Sequence, residues 1–170
     1  MRTLVAEGLV LEPQVAAHAA AMFEVLRDPA IYEFENEPPV SRAWLQERFR
    51  RLETRTSGDG AEQWLNWVVR LAGGPLIGYV QATVRADHSV NIAYVFASAY
   101  WGRGYARRSV EAMIAELAEA FGVQRLEAIV VRRNARSLRV LERLGFVVAS
   151  HAEHARRAID ETEMLWLRSL

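Results

Sequence analysis

Gly102 and Gly104, within Ala99–Arg108 (AYWGRGYARR), stand where an apolar strand is expected to end and a long amphipathic helix to begin. That helix is read from Tyr105 to Phe121, because Ala106, Val110, Met113, Ile114, Leu117 and Phe121 recur at helical spacing, and Gly122 ends it. No Ser, Thr, Asp or Asn stands before Tyr105 to cap the first amides. Arg107 and Arg108 put positive charge in the first turn, where the helix dipole disfavours it. A bound anion would answer both faults, accepting the free amides and pairing with the arginines. A frayed helix end satisfied by water fits the same residues.

Absences narrow the anion. The chain has no cysteine, and all 21 of its basic residues are arginine. A phosphate-binding Walker loop needs a lysine, and a dinucleotide fingerprint starting at Gly102 needs Gly or Ala where Arg107 stands. Lysine Schiff bases, thiol nucleophiles and cysteine-held metals are excluded outright. His151 and His154 have no carboxylate partner at ligand spacing, so no metal is expected.

The elements that must position this loop follow from periodicity and breakers. Leu4–Leu11 reads as an opening strand and Pro13–Leu26 as a helix, broken at Asp28-Pro29. Ile31–Val40 is an acidic, aromatic loop. Ser41 caps a helix over 42–55 with Trp44, Leu45, Phe49 and Leu52 inward. Trp64–Leu71 and Leu76–Arg85 form a hairpin through Gly73-Gly74-Pro75, and Val90–Phe96 follows. Beyond the glycine-led helix come the strand Leu126–Val131, a helix capped by Asn134 and ended by Gly145, and strands at Phe146–Ser150 and Glu163–Leu167. His151 and His154 fall in an edge strand or loop. The order is β-α-α-β-β-β-α-β-α-β-β, an α/β mixed sheet with helices on both faces and a parallel crossover from 90–96 to 126–131. Ligands of such sheets lie beyond the carboxyl ends of the parallel strands, where Gly102 and Gly104 fall.

With 170 residues and 51% hydrophobic content, residues 1–170 are expected to form a single domain, burying roughly 70% of the unfolded surface. The net charge is zero, giving no global attraction to nucleic acid or membrane. The arginines at 132, 133, 136, 139 and 143 are the one basic cluster that would support nucleic-acid binding, and they fit cofactor phosphates or solvent better. The opening MRTLVAEGLVLEP is interrupted by Glu7 and Glu12 and lacks signal-peptide architecture, so a cytoplasmic protein is expected.

Three blocks in register, with the opening Leu9–Pro29 that is similar to the family branch's strand-and-helix start, together cover most of the chain and resemble the GNAT N-acetyltransferase superfamily. More narrowly, they are similar to its ribosomal-protein N-terminal acetyltransferase (RimJ/RimL-like) branch. Trp101-Gly102-Arg103-Gly104-Tyr105-Ala106 matches the family's R/Q-x-x-G-x-G/A signature, with Trp101 in place of Arg or Gln. Asn91–Phe96 resembles the branch's E-I-G-Y-x-L strand. Asn134-Ala135-Arg136-Ser137, with Leu141 and Leu144-Gly145-Phe146, resembles its N-x-x-S…L-x-x-L-G-F helix.

The resemblance implies a GNAT-like fold with a central splayed parallel strand pair, acetyl-CoA as co-substrate and a primary amine as acceptor. It places the pyrophosphate on the amides of Arg103, Gly104, Tyr105, Ala106 and Arg107, beside Trp101 and Gly102. Pantetheine would run between the splayed strands against backbone near Phe96 and Ala97, and Asn134 would bond the same arm. Ser137 would protonate the departing thiolate; Asn134 and Ser137 fit a purely structural helix start equally well. A homodimer is implied as an option. Where many members carry a Glu base, this chain has Asn91. Glu35 with Glu33 and Glu37, or Glu153, are the candidates for a base or for drawing in an amine; a water relay is the alternative. An N-terminal α-amine, pKa near 8, needs less help than a lysine amine near 10.4. The leading expectation is direct acetyl transfer to a protein or peptide α-amine. A small-molecule amine acetyltransferase and a non-catalytic acyl-CoA-binding module are the alternatives.

Overall fold

Leu4 to Leu11 is not one strand. Gly8, at φ 71°, closes a two-residue turn that folds β1 (Leu4–Ala6) back on β2 (Leu9–Pro13), pairing Ala6 with Leu9. The chain is described here by a computed structural model covering residues 1–34, 37–87 and 89–170. Pro13 belongs to β2, opposite Trp67, and the Gln14 amide extends that ladder to the Asn66 carbonyl. The expected helix therefore starts late: a 3-10 turn at Ala16–His18 leads into α1 (Ala19–Leu26). α2 (Arg42–Glu53) is capped by Ser41 as expected, but only Leu45 and Phe49 are buried, and Trp44 is exposed.

β3 (Glu62–Leu71), β4 (Leu76–Arg85) and β5 (Ser89–Phe96) extend the sheet antiparallel. α3 (Tyr105–Phe121) crosses to β6 (Arg125–Val131), which lies parallel to β5. α4 (Ala135–Arg143), β7 (Val147–Val148), α5 (His151–Arg156) and β8 (Glu163–Ser169) complete one sheet in the order β1-β2-β3-β4-β5-β6-β8-β7. β7 covers only Val147–Val148 of the strand expected over Phe146–Ser150, and α5 stands where an edge strand or loop was expected. Ser150 and Glu153 form a reciprocal capping box, and that S-x-x-E spacing is visible in the sequence. His151 and His154 are thus helical. His154 Nε2 accepts the Leu165 amide at 3.0 Å, so its Nδ1 carries the proton that Ser150 O accepts.

Two cores flank the sheet. α3 and α4 pack on one face through Val110, Met113, Leu117 and Leu141, against Trp67, Val80, Ile92 and Leu126. α1 and α2 pack on the other through Met22, Leu26, Leu45 and Phe49, against Val68 and Leu76. Among the described residues no helix is long and apolar enough to cross a membrane.

Candidate active site

β5 and β6 pair only at Ser89–Arg125, Val90–Leu126 and Asn91–Glu127. Beyond Asn91, β5 runs on against β4 to Phe96, while β6 runs on against β8 to Val131. The two strands part into a slot that opens toward their carboxyl ends. Which backbone groups line it follows from strand alternation. Ala97 N–H donates to Ile77 O on β4, and Ala97 O accepts from Tyr100, so both polar groups of Ala97 are taken within the fold. Phe96 and Tyr94 then turn their amides the other way, toward the slot, while the Ile92 amide faces the same side within the last β5–β6 pair, Asn91–Glu127. The Phe96 carbonyl accepts the Trp101 indole N–H at 2.7 Å.

At the open end stands the glycine loop. Gly102 and Gly104 adopt φ 75° and 76°, and Gly104 is the left-handed N-cap of α3. The first helical bond runs from Arg108 N to Gly104 O at 3.1 Å. None of the amides from Gly102 to Arg107 has a protein acceptor among the described residues, and nothing lies within 4 Å of where a Cβ would stand at either glycine. Arg107 and Arg108 each have a carboxylate partner, and Arg108 also donates to the Arg103 carbonyl at 3.3 Å. Arg107 pairs with Glu111 at 3.3 Å; Arg108 pairs with Glu7 at 3.3 Å and stacks over Tyr105. The unpartnered polar groups of this loop are its backbone amides.

α4 closes the slot from the α3 side. Asn134 Oδ1 accepts the Ser137 amide at 3.1 Å, which leaves its NH2 group without a partner among the described residues. Tyr94 reaches across from β5 and donates its hydroxyl to Ser137 O at 3.2 Å. Burial pushes the Tyr94 phenol up to about 12, so it stays a neutral donor. Arg136 stacks 4.2 Å over the Trp101 ring and 5.5 Å over Phe34, and pairs with Glu33 at 2.5 Å. One guanidinium therefore clasps the loop after α1 to the glycine loop.

An acetyltransferase (GNAT) domain family matches residues 8–147. The chain belongs to this family. Its fold is shared with a ribosomal L7/L12 α-N-protein acetyltransferase in complex with coenzyme A, at a TM-score of 0.82 and 14% identity over 98% of this chain and 96% of that one. The ribosomal-protein-S5-alanine acetyltransferase from Vibrio fischeri aligns at a TM-score of 0.78 and 20% identity over 98% and 96%. A microcin C7 self-immunity acetyltransferase in complex with acetyl-CoA and AMP aligns at 0.79 and 12% over 96% and 93%. No curated protein matches the chain.

GNAT acetyltransferases use acetyl-CoA, and the unpartnered amides beside the slot suit its phosphates and extended arm. Around that slot the fold gathers Phe96, Trp101, Gly102, Arg103, Gly104, Tyr105, Ala106, Asn134 and Ser137. It does not bring the expected acids to one place. Glu35 lies outside the described residues. Glu153 sits at the foot of β6: it caps α5 at Ser150, which holds its carboxyl below the ordinary range, and lies 3.5 Å from Arg125. Arg125 is the first residue of β6, at the opposite end from the glycine loop. Glu33 is spent on Arg136. The Arg136 clasp and the Tyr94–Ser137 bond were missed from sequence; each joins residues far apart in the chain, and neither leaves a local pattern.

Proposed function

We propose that this chain is an acetyl-CoA-dependent N-acetyltransferase that transfers acetyl directly to the α-amine of a protein or peptide N-terminus, with residues 1–170 acting as one catalytic domain. The observation that carries the reading is the slot between β5 and β6 opening onto the run of unpartnered amides Gly102–Arg107. In this reading the pyrophosphate rests on those amides and the pantetheine arm fills the missing pairing between β5 and β6, with the Asn134 amide donating to it. A slot-facing amide of β5, at Tyr94 or Phe96, polarises the thioester carbonyl.

The neutral amine attacks the carbonyl carbon. The C–N bond forms, the C–S bond breaks, and the amine's proton ends on the thiolate of CoA, with Ser137 Oγ as its last donor. With no cysteine in the chain, no acetyl-cysteine can form, which favours direct transfer. Asn91 cannot serve as a base, which favours an acceptor already partly neutral at pH 7, as an α-amine of pKa near 8 is.

Calorimetric titration with acetyl-CoA, followed by thiol release across short peptides with free α-amines and across small amines, tests the reading. Tight binding with peptide-dependent release is expected. Binding without release would leave a non-catalytic acyl-CoA-binding module, and release only with small amines would move the acceptor class. Gly104→Glu fills the open space with side chain and charge and is expected to abolish acetyl-CoA binding. Unchanged affinity would remove the glycine loop from the site.

A further inference from the structure

The sheet face opposite α3 is covered unevenly. α1 and α2 sit over the cross-strand row Val68, Tyr79 and Val95. The next two rows on that face carry a different chemistry. Asn66 lies opposite Gln81, and Gln81 opposite Ala93. Trp64 lies opposite Thr83, Thr83 opposite Asn91, and Asn91 opposite Glu127. Four uncharged hydrogen-bonding side chains, Asn66, Gln81, Thr83 and Asn91, thus share one face of three adjacent strands. None of the four makes a side-chain hydrogen bond to another described residue. Asn91 Oδ1 is fully buried without a partner, and Asn66 is only 4% exposed. Gln81, Thr83 and Asn91 are part-exposed, so their polar groups face outward from the sheet, and Asn91 Oδ1 is the one atom of the set that the fold buries without a partner, which native folds rarely do.

The row ends at the vertex of the slot, since Asn91–Glu127 is the last pair before β5 and β6 part. The glycine loop opens at the head of α3, on the opposite face. A group lying on the Asn–Gln–Thr–Asn floor therefore meets the slot from the side away from α3. The charges nearby are already compensated. Glu127 pairs with Arg157 at 2.7 Å and with Arg125 at 3.5 Å, Glu62 faces Arg85 at 3.9 Å, and Glu33 is held by Arg136. Among the described residues, the four side chains of the floor are neutral donors and acceptors, and the carboxylates named above are paired. That suits the peptide bonds behind an N-terminal amine, and it does not suit a polycationic amine.

We infer that Asn66, Gln81, Thr83 and Asn91 are the acceptor-recognition floor, hydrogen-bonding the first peptide units of the acceptor. The inference rests on the acetyltransferase reading above and adds the residues that select the acceptor. Thr83→Val and Gln81→Met keep volume and remove hydrogen bonding; Asn91→Leu does the same at the vertex. For short peptides with free α-amines, each is expected to raise the acceptor KM by about tenfold, with the acetyl-CoA dissociation constant and the melting temperature unchanged. A peptide N-methylated at its first two peptide bonds should be a poor acceptor for the wild type and lose its disadvantage in the Thr83→Val, Gln81→Met double variant.

Unchanged peptide KM in all three variants would overturn the floor, as would spermidine outcompeting every peptide on the wild type. Wild type that binds acetyl-CoA but neither acetylates nor binds any peptide would also overturn it, leaving the cofactor site standing. Wild type that fails to bind acetyl-CoA would sink the broader reading, and the floor with it.

Discussion

Ser137 and Tyr94 meet across the slot, and substitutions at the two separate chemistry from scaffolding. Ser137→Ala is expected to lower kcat by ~10²-fold with acetyl-CoA affinity retained, as loss of a general acid does. A near-normal rate would make Ser137 a helix-start residue only. Tyr94→Phe removes the bond to Ser137 O and is expected to lower stability by about 1 kcal/mol. The phenol is held up at about 12, so it stays protonated wherever the fold survives. The alkaline limb of the pH–rate profile should therefore be the same in Tyr94→Phe as in wild type. A limb that moves would mean that this hydroxyl titrates in catalysis. The sequence revealed the glycine-loop amides through a missing cap, because capping is local. It did not show the ion pairs of Arg107 and Arg108, with Glu111 one helical turn away and with Glu7 on a distant hairpin.

Between elements, Asp28 joins the end of α1 to the turn after β5. Its Oδ1 caps the Pro29–Tyr32 turn at the Ala30 amide, 3.0 Å away, and its Oδ2 accepts the Ser98 amide at 2.6 Å. Burial pushes this carboxyl up, but the amides of Ser98 and Ala30 outweigh burial and hold it below its ordinary value. A carboxyl lowered in the folded state stabilises above its unfolded pKa, about 3.9, and loses that contribution as pH falls through the folded value. Asp28→Asn keeps a capping oxygen but loses the charge. It is expected to cost about 1 kcal/mol at neutral pH, shrinking as pH falls below the ordinary carboxyl value and through the lowered folded one, as read by urea unfolding across an acid pH series. A penalty independent of pH would mean that the charge contributes nothing. Element types were legible wherever one period ran long enough, as in α3, whose bounds match the expectation from Tyr105 to Phe121. They failed where a turn hid in an apolar run, as at Gly8. At α5 the failure was of another kind: the Ser150–Glu153 box is readable, and the segment was expected as an edge strand or loop.

For the whole molecule, the decisive feature is where β5 and β6 part, and neither strand's own sequence specifies it. Both are apolar and could pair to their ends. The tightest backbone approach beside the slot lies one strand away, at Gly78, which pairs with Phe96. A Cβ there would stand 2.2 Å from Val95 O, 2.8 Å from Phe96 Cδ1 and 2.9 Å from Phe96 Cα, closer than at any other glycine. Without a side chain, Gly78 lets the end of β5 lie tight on β4, which leaves the opposite edge of β5 free along the slot. Gly78→Ala must push that end away from β4, toward β6. Two linked losses are expected: about 3 kcal/mol of stability, as overpacking of a closed interior gives, and weaker acetyl-CoA binding measured at a temperature where the variant is still folded. Gly58→Ala is the control, because nothing lies within 4 Å of its Cβ position; it should change stability by no more than about 0.5 kcal/mol. A folded Gly78→Ala that binds acetyl-CoA like wild type would show that the splay survives without this close approach. The opening would then have to be held from the α4 side, by Tyr94 on Ser137 and Arg136 on Trp101.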